Sequence, residues 1–197
     1  MTLLNARNLS LEDVQRLLGF KEDYNDSFSS LLSLQPLTEF EQQELLLIKN
    51  RFDKLLTTGQ IEQGDLSFWV ITPLMHLSGF FHSHKIKIDL EENISEFTTE
   101  DEGITLTARF DLVFVNKEIK GIDKTYFWLL VVESQNCSIL PTVGLPQLLA
   151  SANESLQYQN QKSVWGLVTN GQYYQFVYIQ QGNPTTYYLM PLLNLME

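Results

Sequence analysis

The feature that most constrains this chain is a run of seven apolar residues, 126–132, that passes straight into Glu133-Ser134-Gln135. Crossing a bilayer takes about 20 such residues, so this run is of strand length. A half-exposed strand alternates apolar and polar side chains. One that is apolar at every position, as residues 127–132 are, needs cover on both faces and belongs inside a sheet. The chain is therefore expected to build a sheet around this strand, with helices packed over it. A carboxylate at the end of such a strand, Glu133, is costly unless it binds a cation or accepts hydrogen bonds.

The first third of the chain reads as the source of those helices. Ser10 and Asp13 resemble a capping box ahead of a helix over residues 11–18, and Gly19 can end it. A polar patch, 21–26, precedes the short apolar segment 28–34, stopped before Pro36. Thr38 and Glu41 form a second capping-box pattern that opens the longest helix, residues 39–56, with Gly59 beyond its end. Leu45, Ile48, Phe52 and Leu55 or Leu56 recur at the spacing of a buried helical face. A further helix over residues 66–77 carries Trp69, Val70, Leu74 and Leu77; Pro73 kinks it or displaces its start.

From Lys85 the period changes to two. Ile86, Ile88 and Leu90 alternate with Lys85, Lys87 and Asp89. Ile104, Leu106, Ala108, Phe110, Leu112 and Phe114 then alternate with Thr105, Thr107, Arg109, Asp111, Val113 and Val115. This pattern predicts antiparallel strands joined through the intervening acidic stretch. A helix is expected over residues 145–158, with Pro146 in its first turn. Asn170-Gly171 predicts a hairpin turn between strands 163–168 and 173–179, and residues 185–189 are expected as an edge strand. The order, helices and then strands around one more helix, predicts an α+β domain with a central mixed sheet flanked by helices. Residues 1–35 stand ahead of this domain as an N-terminal helical extension, and residues 36–197 form the domain.

Charge narrows the range of partners. Lys and Arg total 13 against 24 for Asp and Glu, a net charge of −11, which argues against a protein that coats nucleic acid through cation–phosphate contacts. Between Asp89 and Glu102 lie seven acids and no base, a pattern expected of a solvated hairpin. The single cysteine, Cys137, excludes an internal disulfide framework and a cysteine-based zinc site. With no basic-then-apolar leader and no membrane-length run, a cytoplasmic protein without a membrane partner is expected.

The chemistry-bearing residues cluster near the buried strand. Period two sets Glu133 and Gln135 on one face and Ser134 on the other. Asp111 interrupts a strand side whose later members, Val113 and Val115, are apolar. Two carboxylates on adjacent strands at one level make half of an octahedral oxygen site for Mg²⁺. The plainer alternative is an acid that caps backbone amides, or Asp111 paired with Arg109 on its own face. His82 and His84, with His76 nearby, lack an acid or cysteine at ligand spacing and read as surface or loop residues. Cys137 has no positioned histidine base and reads as an unreactive thiol. The aromatic cluster of Tyr173, Tyr174, Phe176, Tyr178, Tyr187 and Tyr188 lacks interleaved cations. A sheet face that packs on a helix or a partner subunit is expected there rather than a base-stacking platform.

Four blocks in order carry a resemblance: residues 108–114, with Asp111; residues 128–135, with Glu133, Ser134 and Gln135; residues 145–150, with Gln147; and residues 164–171. From about residue 67 to 179 the chain resembles the PD-(D/E)XK nuclease superfamily, and within it small cyanobacterial proteins akin to the N-terminal nuclease domain of type I restriction enzyme motor subunits. The resemblance implies a restriction-endonuclease-like core and metal-dependent hydrolysis of a DNA phosphodiester. Asp111 and Glu133 would then be ligands to Mg²⁺ or Mn²⁺, with the Ser134 carbonyl completing the set. Glu41, on the inward face of the long helix, would assist unless it only closes the capping box. Gln147 would sit near the DNA backbone unless it is a plain helix-start residue.

Gln135 departs from the pattern, which usually has lysine there. Glutamine is neutral and orients water only by hydrogen bonding; Arg109, Lys85 or Lys87 would have to supply the missing cation. Two functions therefore remain open: a Mg²⁺-dependent endonuclease that acts on DNA, or a catalytically silent nuclease-fold subunit that binds or regulates others. A homodimer or a protein partner is compatible with either.

Overall fold

Capping chemistry sets the helix boundaries. In the computed structural model, which describes residues 2–5, 8–24, 35–59, 61, 63–79, 86–89, 95–98, 104–108, 112–116, 126–131, 140–158 and 161–197, helix α1 (Leu11–Leu18) starts at a reciprocal Ser10–Asp13 capping box and stops at Gly19 in the left-handed region. Helix α2 (Glu39–Thr58) starts at the Thr38–Glu41 box and stops at Gly59, with φ of 77°. Its buried residues, Ile48 and Phe52, lie on the face that the apolar spacing picks out.

The expected helix over residues 66–77 is instead a composite. It runs as α3 (Gln63–Leu66), a π turn (Ser67–Ile71) and α4 (Thr72–Leu77). Pro73 has no N–H to continue an α ladder, and the amide of Thr72 reaches back to the Ser67 carbonyl, one residue further than α geometry. The wider turn re-aims the stripe. Val70, Ile71 and Met75 are buried, while Trp69 is 44% exposed beside the exposed Phe68.

The remaining elements are strands around helix α5: β1 (Thr2–Asn5), β2 (Phe20–Glu22), β3 (Ile86–Asp89), β4 (Ser95–Thr98), β5 (Ile104–Ala108), β6 (Leu112–Asn116), β7 (Tyr126–Val131), α5 (Leu145–Tyr158), β8 (Ser163–Thr169), β9 (Tyr173–Gln180), β10 (Thr185–Leu189) and β11 (Leu193–Asn194). The main sheet has the order β2-β10-β9-β8-β7-β6-β3, with β11 also paired to β9. It is mixed: β7 runs parallel to β8 and β2 to β10, and the other pairs are antiparallel. The all-apolar strand β7 is interior, between β6 and β8, as its composition predicts. A parallel β7–β8 pair needs a crossover, and α5 provides it.

Around β8 and β9 both faces of the sheet are covered. On one, Val14 of α1, Phe20 and the α5 residues Leu145, Leu148, Leu149, Ala152 and Leu156 pack on Val164, Val168, Val177, Ile179 and Tyr187. On the other, Ile48, Phe52, Leu66, Val70, Ile71 and Met75 pack around Leu167, with Tyr174 and Phe176 against them. The alternation along β8, with Val164 and Val168 on one side and Leu167 on the other, is the period-two signature of a strand covered twice. The protein is thus α+β with a mixed sheet flanked by helices.

Three expectations need correction. Residues 1–35 are not a purely helical extension: β1 pairs with β5, β2 pairs with β10, and Val14 and Phe20 belong to the same core as α5. Segments this short carry too few residues for periodicity to separate strand from loop. The strand at residues 185–189 is not an edge, because β2 adds outside it. The alternating run from Ile104 onward is not one hairpin arm. Strand β5 joins β4 and β1 in a separate three-stranded sheet, and only β6 joins the main one. An unbroken period of two carries no mark of where a chain changes sheets, and the acidic stretch itself holds strand β4.

Candidate active site

Asp111, Glu133, Ser134 and Gln135 lie outside the described residues, as do Arg109, Lys85, His82, His84 and Cys137. The sheet nevertheless determines which strand ends these residues adjoin. Strands β6 and β7 are antiparallel, with Leu112 opposite Leu129 and Val113 opposite Trp128. The end of β6 that follows Asp111 in sequence therefore lies beside the end of β7 that leads to Glu133. Strand β7 continues past the partner of Leu112, so that Leu130 and Val131 pair with Val168 and Thr169 of β8.

That end of the sheet is built rigidly at β8 and β9. The Asn170-Gly171 hairpin turn is present, and its residues are buried. The Asn170 side-chain oxygen accepts from the amides of Gln172 (3.1 Å) and Tyr173 (2.8 Å). The Thr169 hydroxyl accepts from the Gly171 amide at 3.0 Å. The Tyr174 hydroxyl donates to the Gly171 carbonyl at 3.0 Å, and burial holds its pKa well above the ordinary tyrosine range. The turn, read from sequence only as a link between strands, is a wall of this sheet end under α2 and α3. Its buried asparagine and threonine had no separate signal beyond the turn motif.

Glu41 closes the α2 cap. Its Oε2 accepts from both the backbone amide and the hydroxyl of Thr38, each at 2.7 Å, and its own amide donates to the Thr38 hydroxyl at 3.3 Å. Those bonds hold its carboxyl below the usual glutamate range. Gln147, in the first turn of α5, is 9% exposed, off the stripe of Leu145, Leu148, Leu149, Ala152 and Leu156 that faces the sheet, and its carbonyl accepts from the Ser151 hydroxyl at 2.7 Å.

The aromatic cluster divides between the two faces of the sheet. Tyr187 is fully buried on the α1–α5 side. Its hydroxyl accepts from Gln15 Nε2 at 2.8 Å and donates to Glu22 Oε2 at 3.2 Å. Tyr174 and Phe176 pack toward α2–α4. Trp165, Tyr178 and Tyr188 form a cross-strand row with ring centroids 4.9 and 6.1 Å apart. In backbone register Trp165 lies opposite Phe127, near the start of β7, and so away from the Val131 end of that strand.

Among the described residues no group of three or more His, Cys, Asp or Glu is arranged to hold a metal ion, and no helix is long and apolar enough to cross a membrane. One concave feature escaped the sequence reading. A groove of about 650 Å³ between α2 and α4 is lined by Thr38, Phe40, Glu41, Glu44, Ile48, Thr72, Pro73, His76 and Leu77. Its sequence signal was Phe40, an apolar residue off the buried stripe of α2. No protein-family model matches this chain, and no curated protein matches it in sequence.

Proposed function

We propose that the protein is a Mg²⁺- or Mn²⁺-dependent nuclease of restriction-endonuclease-like fold that cleaves DNA phosphodiesters, with Asp111 and Glu133 as its metal ligands. The observation that supports this reading is the antiparallel pairing of β6 with β7, since the strand ends adjoining the two carboxylates share one edge of the sheet. The donor set fits the ion: two carboxylates and the Ser134 carbonyl are hard oxygen ligands of the kind magnesium takes. When bound, the metal would lower the pKa of a water and offset charge on the phosphate. Gln135 would orient the attacking water by hydrogen bonding, without the cation that a lysine brings.

The reading makes one geometric demand. Continuing the Leu112–Leu129 register without interruption would set residue 111 opposite residue 130, with residue 133 three further along and on the other face. The two carboxylates can converge only if the alternation breaks between these points, as a β-bulge breaks it.

That same register favours a second reading, the silent binding or regulatory subunit, if the alternation does not break. The net charge of −11 agrees with it. Incubation of supercoiled plasmid and single-stranded DNA with the protein and Mg²⁺ or Mn²⁺ separates the two. Cleavage that Glu133→Gln abolishes, with an unchanged circular dichroism spectrum, supports the nuclease. Cleavage that survives Glu133→Gln removes Glu133 from the site, and no cleavage by the wild type with either ion leaves the binding reading.

A further inference from the structure

The α2–α4 groove combines apolar walls with two glutamates and one histidine, His76. Ile48 is buried at its floor, and Phe40, at its rim, is 67% exposed. Glu41 and Glu44, one helical turn apart, both line it, and no lysine or arginine does so among the described residues. Along the chain the first base after residue 35 is Lys49, beyond the groove, whereas Glu39, Glu41 and Glu44 all precede it. The capping bonds from Thr38 fix the Glu41 carboxylate in place. An exposed aromatic ring over an apolar floor is a feature of binding surfaces, and acids at its rim select the charge of the occupant.

We propose that this groove docks a basic amphipathic helix of a protein partner, whose apolar residues enter between Phe40, Ile48 and Leu77 while Arg or Lys side chains meet Glu41 and Glu44. The walls are helices, not an open strand edge, so the mode is a helix laid in a groove with anchors at i, i+3, i+4 and i+7. A cavity of about 650 Å³ is of a size that takes several side chains rather than a flat protein surface. Glu41 is also the assisting acid of the nuclease reading, but peptide binding needs neither metal nor DNA, so the two readings can fail separately.

The test is fluorescence anisotropy with a labelled synthetic helix of about 18 residues, four to five turns, that carries Leu at the anchor positions and Arg on its flanks. Saturable binding is expected, weakened about tenfold by Glu44→Lys, by Phe40→Ala, and by raising NaCl from about 0.05 M to about 0.3 M. Phe40 is exposed and Glu44 half-buried, so both variants should keep the wild-type circular dichroism spectrum and melting temperature; Phe40→Leu, which retains an apolar anchor, should rescue most of the binding. The proposal is overturned by no saturable binding, by equal binding of a control peptide with Glu in place of Arg, or by binding unaffected by either variant. Sedimentation that reveals a dimer dispersed by Phe40→Ala also overturns it, because the occupant would then be a second copy of the chain.

Discussion

A methyl group placed on Gly171 would lie 2.6 Å from Leu66 Cδ2 and 3.1 Å from Phe52 Cε2, so the β8–β9 turn and the α2–α3 helices meet where only a hydrogen fits. The φ of Gly171, 88°, adds a second restriction, because L side chains rarely adopt it. Gly171→Ala is expected to destabilise the protein by about 2 kcal/mol or more, from overpacking together with left-handed backbone strain. Urea unfolding checks this; a midpoint equal to that of the wild type would mean that the helices do not rest on the turn.

Gly166 plays the corresponding part on the other face. A Cβ there would fall 2.6 Å from Leu148 Cδ2, 2.9 Å from Cδ1 and 3.0 Å from Cγ, so the whole Leu148 side chain, not one methyl, would have to move. Gly166→Ala should cost about 1–3 kcal/mol. Gly166→Ala combined with Leu148→Ala should cost less than the sum of the two single changes, because the cavity left by one accepts the methyl of the other. Additive losses would contradict the close approach of α5 to β8.

The Thr38–Glu41 cap should give the protein a pH-dependent increment of stability. The carboxyl of Glu41 is held below its ordinary pKa by the Thr38 bonds. Its contribution is therefore present above the unfolded value of about 4.3 and is lost as pH falls through the lower folded value. Glu41→Gln should lower the melting temperature at pH 7 and make a smaller difference near pH 3. An equal difference at both pH values would show that the carboxylate is not what the cap uses.

Tyr187 gives the opposite dependence. Burial, followed by the neighbouring Glu22 carboxylate, raises its pKa above the ordinary tyrosine value. The stability it brings is intact below about pH 10 and declines as pH rises from there toward the folded value. Tyr187→Phe removes bonds to Gln15 and Glu22, should cost about 1 kcal/mol at neutral pH, and should flatten the alkaline decline. A decline that stays as steep would assign it to other groups.

The parts legible in the sequence were those with a strong local signal. Both capping boxes, both glycine helix stops, the Asn170-Gly171 turn and the α5 bounds stand where residue types alone set them. The interior place of β7 followed from a run that no half-exposed strand could carry. What was not legible depended on non-local pairing. Nothing in Phe20–Glu22 announces a partner 165 residues away, and no break in alternation marks the point where the chain leaves the β5 sheet for the main one. Pro73 signalled disturbance in a helix, but a π turn and a kink look alike in sequence. Of the candidate site, the order of the carboxylate-bearing segments was readable. The face on which each side chain emerges was not, because one inserted residue reverses it.

Gln135→Lys probes the least usual residue of the proposed site. If cleavage occurs and is limited by the missing cation, the variant should cut faster than the wild type with unchanged melting. An unaltered rate would mean that another cation already serves the attacked phosphate.

The central claim, that Asp111 and Glu133 together hold a divalent ion, is tested most directly by melting with and without Mn²⁺. At metal tenfold above its dissociation constant, a native-state site adds about 1.4 kcal/mol, or about 3–6 °C for a chain of this size. The wild type is expected to show that rise and Asp111→Asn to lack it. An equal rise in both proteins, or none in the wild type at millimolar Mn²⁺, would contradict the site and with it the nuclease proposal.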